Sequence, residues 1–197
     1  MTRYLIETCW IQKKRYSGIT EYYDLIKEVC HGIDGVELLG LFQPLSEGWN
    51  WAYIIETDDL EKWEDVKDEV SRRYFDKREN ITQSITRIYT ALAYNPRPKN
   101  LGNLKYLWVE LDLWEGINVG IKEYFDAHVQ VFEGKEGVWF MGQYVPWNDE
   151  YNWVHFYWFK SVTHMIDMSI DSHRATGRPD RITLILTRLY ERYDPVE

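Results

Sequence analysis

The feature that most constrains the fold of this chain is an internal duplication. Shifting the sequence against itself by 102 residues aligns residues 4–54 with residues 106–156 without a gap, and 15 of these 51 positions are identical. A self-similarity of this length is typical of two copies of one structural unit. The duplication therefore predicts two domains, 1–94 and 104–197. Residues 95–103, which are polar and contain prolines, are expected to join them as a linker.

The hydrophobic pattern predicts the same order of elements in both copies. Apolar residues alternate over 106–113, as in a half-buried strand, and they recur at helical spacing from residue 19 and again from residue 121. Two more strands, a second helix and a last strand follow, with Asp58 as the expected N-cap of the second helix in the first copy. Each copy is therefore predicted to be a ferredoxin-like βαββαβ unit, an antiparallel sheet with both helices on one face.

The first strand of the second copy has two different faces. One carries aromatic and acidic side chains, namely Tyr106, Trp108, Glu110, Asp112 and Trp114, and the other carries aliphatic ones. We expect the aromatic face to be the one that the helices leave uncovered, and a large apolar face is costly in water. The predicted fold class is therefore α+β, with two tandem ferredoxin-like units packed sheet to sheet as an intramolecular α+β barrel.

The composition limits the classes of partner that the chain can be expected to bind. The chain has 32 acidic against 23 basic residues, a net charge of −9, which argues against nucleic-acid binding. Cys9 and Cys30 are too few for a disulfide framework, although one bridge stays open, and no apolar run suggests a signal peptide or a membrane span. We expect a cytoplasmic protein that contacts no membrane. Two copies in one chain predict a monomeric pseudo-dimer, and further homodimerisation stays open.

The repeated segments Gly-Ile-x-Glu-Tyr-Tyr/Phe-Asp, Gly-Val-x3-Gly-x3-Pro and Asn-Trp, together with the βαββαβ order, resemble the dimeric α+β barrel superfamily. Residues 152–158 are similar to the third strand of its antibiotic-monooxygenase-like and stress-responsive members. The superfamily includes cofactor-free monooxygenases, isomerases, haem-dependent chlorite dismutases and peroxidases, and members without known activity. The resemblance thus implies the fold and leaves several activities open.

The candidate catalytic residues lie in the second copy. Glu110 and Asp112 stand where the first copy has Thr8 and Trp10, and His155 replaces Tyr53. The first and third strands are neighbours in this fold, so these three side chains are expected to meet on the barrel-facing side. A carboxylate beside a histidine in an aromatic cavity can tune a general base towards neutral pH. The alternative is a hydrogen-bonded polar cluster that stabilises the interior.

The candidate substrate-binding residues are aromatic or cationic, and they are Trp108, Trp114, Trp153, Tyr157 and Arg188. The aromatic ones would hold a flat hydrophobic ligand or serve as core, and Arg188 would bind an anion or pair with Glu110. His128 is expected in the helix core, and the resemblance suggests His173 as a haem ligand. No metal-ligand spacing is present, so no metal is predicted.

Two hypotheses of function follow. The first is an enzyme without a cofactor, monooxygenase- or isomerase-like, that acts on a small hydrophobic or aromatic molecule in the barrel cavity. The second is a non-catalytic ligand-binding or haem-binding α+β barrel.

Overall fold

The computed structural model describes residues 2–14, 18–74, 80–95, 104–114, 121–133, 135–148, 150–176 and 182–193. Twelve elements lie in these ranges. The first six are β1 (Tyr4–Gln12), α1 (Ile19–His31), β2 (Val36–Pro44), β3 (Trp51–Thr57), α2 (Leu60–Arg73) and β4 (Ile81–Tyr94). The second six are β5 (Tyr106–Trp114), α3 (Ile121–Phe132), β6 (Val138–Pro146), β7 (Trp153–Phe159), α4 (Val162–Thr176) and β8 (Ile182–Arg192).

Unit 1 comprises Met1–Thr90 together with Arg192–Glu197. Its strands pair antiparallel in the order β4–β1–β3–β2. Residues of α1 and α2 pack on one face of this sheet against Ile6, Trp10, Leu41 and Tyr53. This order of hydrogen-bonded strands is the one that a ferredoxin-like unit requires.

The N-cap of α2 differs from the prediction by one residue. Asp59, rather than Asp58, has the extended backbone of an N-cap, and its Oδ1 accepts a hydrogen bond of 3.0 Å from the backbone N–H of Glu61. Asp58 instead forms an ion pair of 2.7 Å with Lys62 one turn along the helix. Two adjacent aspartates offer the same cap chemistry, so the sequence alone does not choose between them.

Unit 2 comprises Ala91–Glu191, and its strands pair antiparallel in the order β8–β5–β7–β6. Helices α3 and α4 cover one face through a buried aromatic cluster, whose members are Phe132, Phe140, Tyr157, Phe159 and Met168. The predicted α+β class with tandem βαββαβ units is confirmed by eight antiparallel strands and four helices in the described residues. The domain limits 1–94, 95–103 and 104–197 stay a prediction, and residues 96–103 lie outside the described ranges.

A bulge in β6 sets the register of the unit 2 sheet near its centre. Phe140 lies opposite Tyr157, but the next pair is Gly142 with Phe156, so one extra residue is accommodated on β6. Gly142 has a φ of 153°, and a Cβ there would collide with the carbonyl oxygen of Ala93. The bulge places Gln143 directly opposite His155.

The predicted orientation of the aromatic face is wrong. Trp108 and Tyr157 pack against Phe132 of α3 and Met168 of α4, so this face lies under the helices of unit 2. Val109 lies on the opposite face and is fully buried as well. Because both faces of these strands are buried, alternation separates two sets of side chains without showing which set the helices cover. The side chains predicted to face the barrel interior therefore lie between the sheet and its own helices.

Cys9 and Cys30 are both buried free thiols, so the single bridge left open by the sequence is not formed. Within the described residues, no helix combines the length and the apolar character that a membrane crossing requires.

Candidate functional site

The candidate site is built on two neighbouring strands of unit 2. Glu110 of β5 lies opposite His155 of β7, and Asp112 lies opposite Trp153. The Nδ1 atom of His155 is 3.3 Å from Oδ2 of Asp112 and 3.9 Å from Oε1 of Glu110. The structure therefore brings together the three side chains that were predicted to meet, although under the helices.

This cluster is buried, and several of its polar atoms lack hydrogen-bond partners. Asp112 and His155 are fully buried, and Glu110 is 8% exposed. Both carboxylate oxygens of Asp112 and both ring nitrogens of His155 have no hydrogen-bond partner among the described residues. The short contact between them is thus an ion-pair distance without hydrogen-bond alignment. Since an unpaired buried polar group destabilises a fold, the cluster does not fit the alternative of a stabilising hydrogen-bonded network.

Burial changes the acidity of this cluster. The pKa of Glu110 is raised from 4.5 to about 7, mainly by removal from water and next by the charge of Asp112, whereas His155 acts in the opposite direction. Burial also raises the pKa of the Tyr124 and Tyr157 hydroxyls far above their ordinary value, with Glu110 contributing. At neutral pH the site therefore holds a carboxyl group that can give or take a proton beside two protonated phenols.

Helix α3 covers the cluster with two rings that the sequence analysis did not assign to the site. The ring of His128 stacks on that of His155, with centroids 5.8 Å apart and planes 4° apart. The Tyr124 ring lies 5.5 Å from His155, and its backbone carbonyl is 2.8 Å from Nδ1 of His128. The signal for His128 was its replacement of Ile26 in the first copy, which was interpreted as a core substitution.

A cleft of about 480 Å³ lies in unit 2, and two of its lining residues are strand neighbours of the cluster. Its lining is mainly apolar, with one ion pair between Lys122 and Asp126, and consists of Leu92, Ala93, Lys122, Phe125, Asp126, Gln143 and Trp153. Gln143 is the strand neighbour of His155, and Trp153 is the strand neighbour of Asp112. Gln143 was missed by the sequence analysis, because only the β6 bulge aligns it with His155.

The other predicted binding residues lie in several places. Trp108 and Tyr157 pack in the aromatic cluster under the helices, with ring centroids 6.1 Å apart. Arg188 is buried, but it lies opposite Val109 and hence on the other face of the sheet from Glu110, so the predicted pairing of these two is wrong. The side chains of Trp114 and His173 lie outside the described part of the structure.

Unit 1 shows what the same positions contain without this chemistry. Thr8, Trp10 and Tyr53 occupy the places of Glu110, Asp112 and His155. The hydroxyl of Thr8 is 3.2 Å from that of Thr86, and the Trp10 ring packs in the core. The fold therefore forms at these positions without a carboxylate or a histidine, which favours a functional reason for the charged set in unit 2.

Two groups of described side chains have the spacing that a metal ion requires, with ligand atoms within 4.8 Å of one another. They are Glu110, Asp112 and His155 in unit 2 and Glu7, Cys9 and Glu47 in unit 1. In unit 1 the guanidinium of Arg87 already binds Glu7 at 2.8 Å and Glu47 at 3.1 Å. The carboxylates of that group are therefore already engaged in an ion-pair network with Arg87.

His128 does not fit an axial haem ligand in this packing. The ring of His128 is enclosed by the rings of Tyr124, Phe140 and Tyr157, with centroids at 4.1, 5.6 and 6.0 Å. A porphyrin could reach it only by displacing these side chains. Nδ1 of His164 is 2.7 Å from the Ser161 hydroxyl, and a hydrogen bond at this nitrogen is compatible with ligation through Nε2. The reaction derived below uses the side chains of Glu110, Asp112 and His155.

Comparison with known proteins supports the fold and no more. No family model matches the chain, and no curated protein matches it. A mutant chlorite dismutase from Candidatus Nitrospira defluvii, solved with cyanide, is similar with a TM-score of 0.62 at 9% identity, covering 98% of this chain and 91% of that chain. A candidate monooxygenase from Lactobacillus acidophilus has a TM-score of 0.63 at 9% identity, covering 97% and 93%.

A haem-binding protein from Thermus thermophilus is also similar, with a TM-score of 0.57 at 10% identity and coverage of 98% and 93%. At 9–10% identity these likenesses show that the chain shares the α+β barrel fold of these proteins, which is the fold that the resemblance predicted. At such identities the activity has to be argued from the site.

Proposed function

We propose that this chain is an enzyme that moves a proton to and from a small hydrophobic or aromatic substrate, without a cofactor, in unit 2. The observation that carries the proposal is the buried group of Glu110, Asp112 and His155. The polar side-chain atoms of Asp112 and His155 have no hydrogen-bond partner among the described residues, and the three counterparts in unit 1 are a threonine, a tryptophan and a tyrosine. The cleft of about 480 Å³ in unit 2 supplies an apolar place for the substrate.

The geometry suggests a role for each side chain. Nδ1 of His155 faces both carboxylates, which favours the tautomer that carries its proton on Nδ1 and leaves the Nε2 lone pair as the base. When Nε2 takes a proton from substrate, Asp112 and Glu110 stabilise the imidazolium that forms. Since an ionised Glu110 stabilises this cation best, the rate is expected to rise with pH through about 7, the pKa of Glu110.

Two reaction classes share this first step. In an isomerase, the proton returns to a different carbon of the substrate. In a monooxygenase without cofactor, the substrate anion reduces dioxygen, so that a CH₂ group and O₂ give C=O and water. Both keep His155 as the base and need no group other than the substrate and, in the second case, O₂.

The test is deuterium exchange into 2-tetralone, an aromatic ketone with acidic C–H bonds, followed by proton NMR in buffered D₂O with a chelator present. The intact chain is expected to accelerate exchange above the buffer rate, and His155→Ala is expected to abolish that acceleration with an unchanged circular dichroism spectrum. His31→Ala, an exposed histidine of unit 1, is the matched control. Full exchange activity in His155→Ala would show that the proposed base is wrong.

The alternative, a haem-binding or non-catalytic ligand-binding protein, is supported by the solved haem-binding neighbour described above. Titration with haemin separates it from the enzyme hypothesis. A saturable Soret band at one equivalent, together with no exchange activity, would favour the alternative, whereas a protein that takes up no haemin and exchanges 2-tetralone would exclude its haem-binding form.

A further inference from the structure

Two buried N–H donors border the cleft of unit 2 without an acceptor. Gln143 is 1% exposed and Trp153 is 5% exposed, and both line the cleft. The side-chain Nε2 of Gln143 and the indole Nε1 of Trp153 have no hydrogen-bond partner among the described residues. Buried donors are nearly always paired in folded proteins, so two orphaned donors on one cleft indicate an acceptor that belongs to a ligand.

Their position relates these donors to the proposed base. Gln143 lies opposite His155 across the β6–β7 pair, and Trp153 lies opposite Asp112 across the β5–β7 pair. Side chains of directly paired residues project from the same face, with Cβ atoms about 5 Å apart. The two donors and the acid–base group are therefore neighbours on the helix-covered face of one sheet.

Unit 1 again provides the comparison. The position of Gln143 is occupied there by Leu41, which is fully buried and packs in the hydrophobic core. An amide at this place is therefore not required by the fold. The tryptophan is common to both units, as Trp51 and Trp153, so the pair of donors beside an acid–base group is a property of unit 2 alone.

The remaining lining indicates a neutral ligand. Lys122 and Asp126 form an ion pair with each other, so the cleft presents no uncompensated charge from these two residues. The other lining residues, Leu92, Ala93 and Phe125, are apolar. A neutral molecule with an apolar ring and one hydrogen-bond acceptor matches this lining better than a carboxylate or a phosphate does.

We propose that Gln143 and Trp153 bind the carbonyl oxygen of the substrate, which makes the substrate class a ketone or enone with an ionisable C–H bond beside the carbonyl. This inference rests on the proposed function and specifies its substrate. Nε2 of His155 accepts the proton, the C–H electron pair becomes the C=C bond of an enolate, and the C=O π pair moves to oxygen. The two N–H groups then donate to the enolate oxygen, and reprotonation of carbon reverses the electron flow.

The binding test reads the carbonyl directly. The infrared C=O stretch of ¹³C-carbonyl-labelled 2-tetralone is measured with the intact chain in excess. Two donated hydrogen bonds are expected to move this band to lower frequency. Gln143→Leu, which installs the residue of unit 1, and Trp153→Phe, which keeps a ring and removes the donor, are each expected to reduce the displacement. Gln83→Leu, an exposed position of β4, is the control that leaves it unchanged.

Exchange kinetics give the second readout. Gln143→Leu is expected to slow deuterium exchange about a hundredfold, as loss of one oxyanion donor does elsewhere. Gln143→Met, close in length but without a hydrogen-bond donor or a charge, guards against a folding defect of the leucine variant. No band displacement in the intact chain, or an equal displacement in all donor variants, overturns the inference. A displaced band that depends on both donors, without exchange, leaves the carbonyl site standing and refutes the proposed proton transfer.

Discussion

Glu110→Gln is expected to stabilise the protein increasingly as the pH rises. The pKa of Glu110 is about 7 in the folded protein against an ordinary value of 4.5, mainly because the carboxyl is buried. A group whose acid pKa is raised by folding holds its proton more tightly in the folded state, so between pH 4.5 and 7 the folded state binds more protons and the free energy of unfolding falls as the pH rises. This pKa difference corresponds to about 3 kcal/mol.

The assay is urea unfolding of the intact chain and of Glu110→Gln at pH 5 and pH 8. At pH 5 the carboxyl is protonated in the folded protein, so the variant should gain about 1 kcal/mol or less; at pH 8 the gain should reach about 3 kcal/mol. With an m-value of about 2 kcal/mol/M, the two urea midpoints would differ by roughly 1.5 M at pH 8. Glu136→Gln, whose side chain is 95% exposed, is the control and should show no such pH dependence.

An advantage of the variant that stays constant from pH 5 to pH 8 would refute this reasoning, because a merely better-packed amide would stabilise equally at both. A variant less stable at pH 8 than the intact chain would show that the ionised Glu110 is well compensated, and the account of the site as an unsatisfied acidic cluster would then fail.

Three further predictions concern stability and reactivity. Gly142→Ala should unfold at clearly lower urea or fail to accumulate as folded protein, because the new Cβ collides with backbone at a φ of 153°, whereas Gly48→Ala, with open space around it, should be nearly neutral; similar midpoints would contradict the bulge. Asp59→Ala should lower the free energy of unfolding by about 1 kcal/mol through loss of the α2 cap. An unchanged urea midpoint would indicate that Asp58, and not Asp59, caps this helix. Cys9 and Cys30 should resist a thiol reagent at pH 8 until urea is added, since burial raises both pKa values, that of Cys30 to about 12; rapid labelling of the native chain would refute this.

The fold could be predicted because two independent signals agreed. The repeat defined the units, and the change from a period of two to a period near 3.6 defined the order of elements. The meeting of Glu110, Asp112 and His155 could be predicted as well, since the topology makes their strands neighbours. Their orientation could not: β7 is buried along its whole length, so hydrophobicity does not separate the helix-covered face from the other one.

The missing members of the site have local causes. Gln143 depends on a one-residue bulge, and a bulge leaves little trace in the hydrophobic pattern beyond a glycine. His128 occupies a position on the apolar stripe of α3, and its side chain is buried there as a core residue would be. Only the stacking of its ring on that of His155 shows its relation to the site. Arg188 pairs with Val109, the neighbour of Glu110 on β5. Successive residues of a strand point to opposite faces, so the side chain of Arg188 lies on the other face of the sheet from Glu110.

The composition of unit 1 has a consequence for how the chain is made. The backbone N–H of Tyr193 donates a hydrogen bond of 2.8 Å to the carbonyl of Leu41, and the Tyr193 ring lies 4.9 Å from that of Trp51. The first copy thus contains residues that are synthesised only after the whole second copy. Domains generally fold in the order of their synthesis. Here the N-terminal copy gains this backbone partner only once the second copy has been translated.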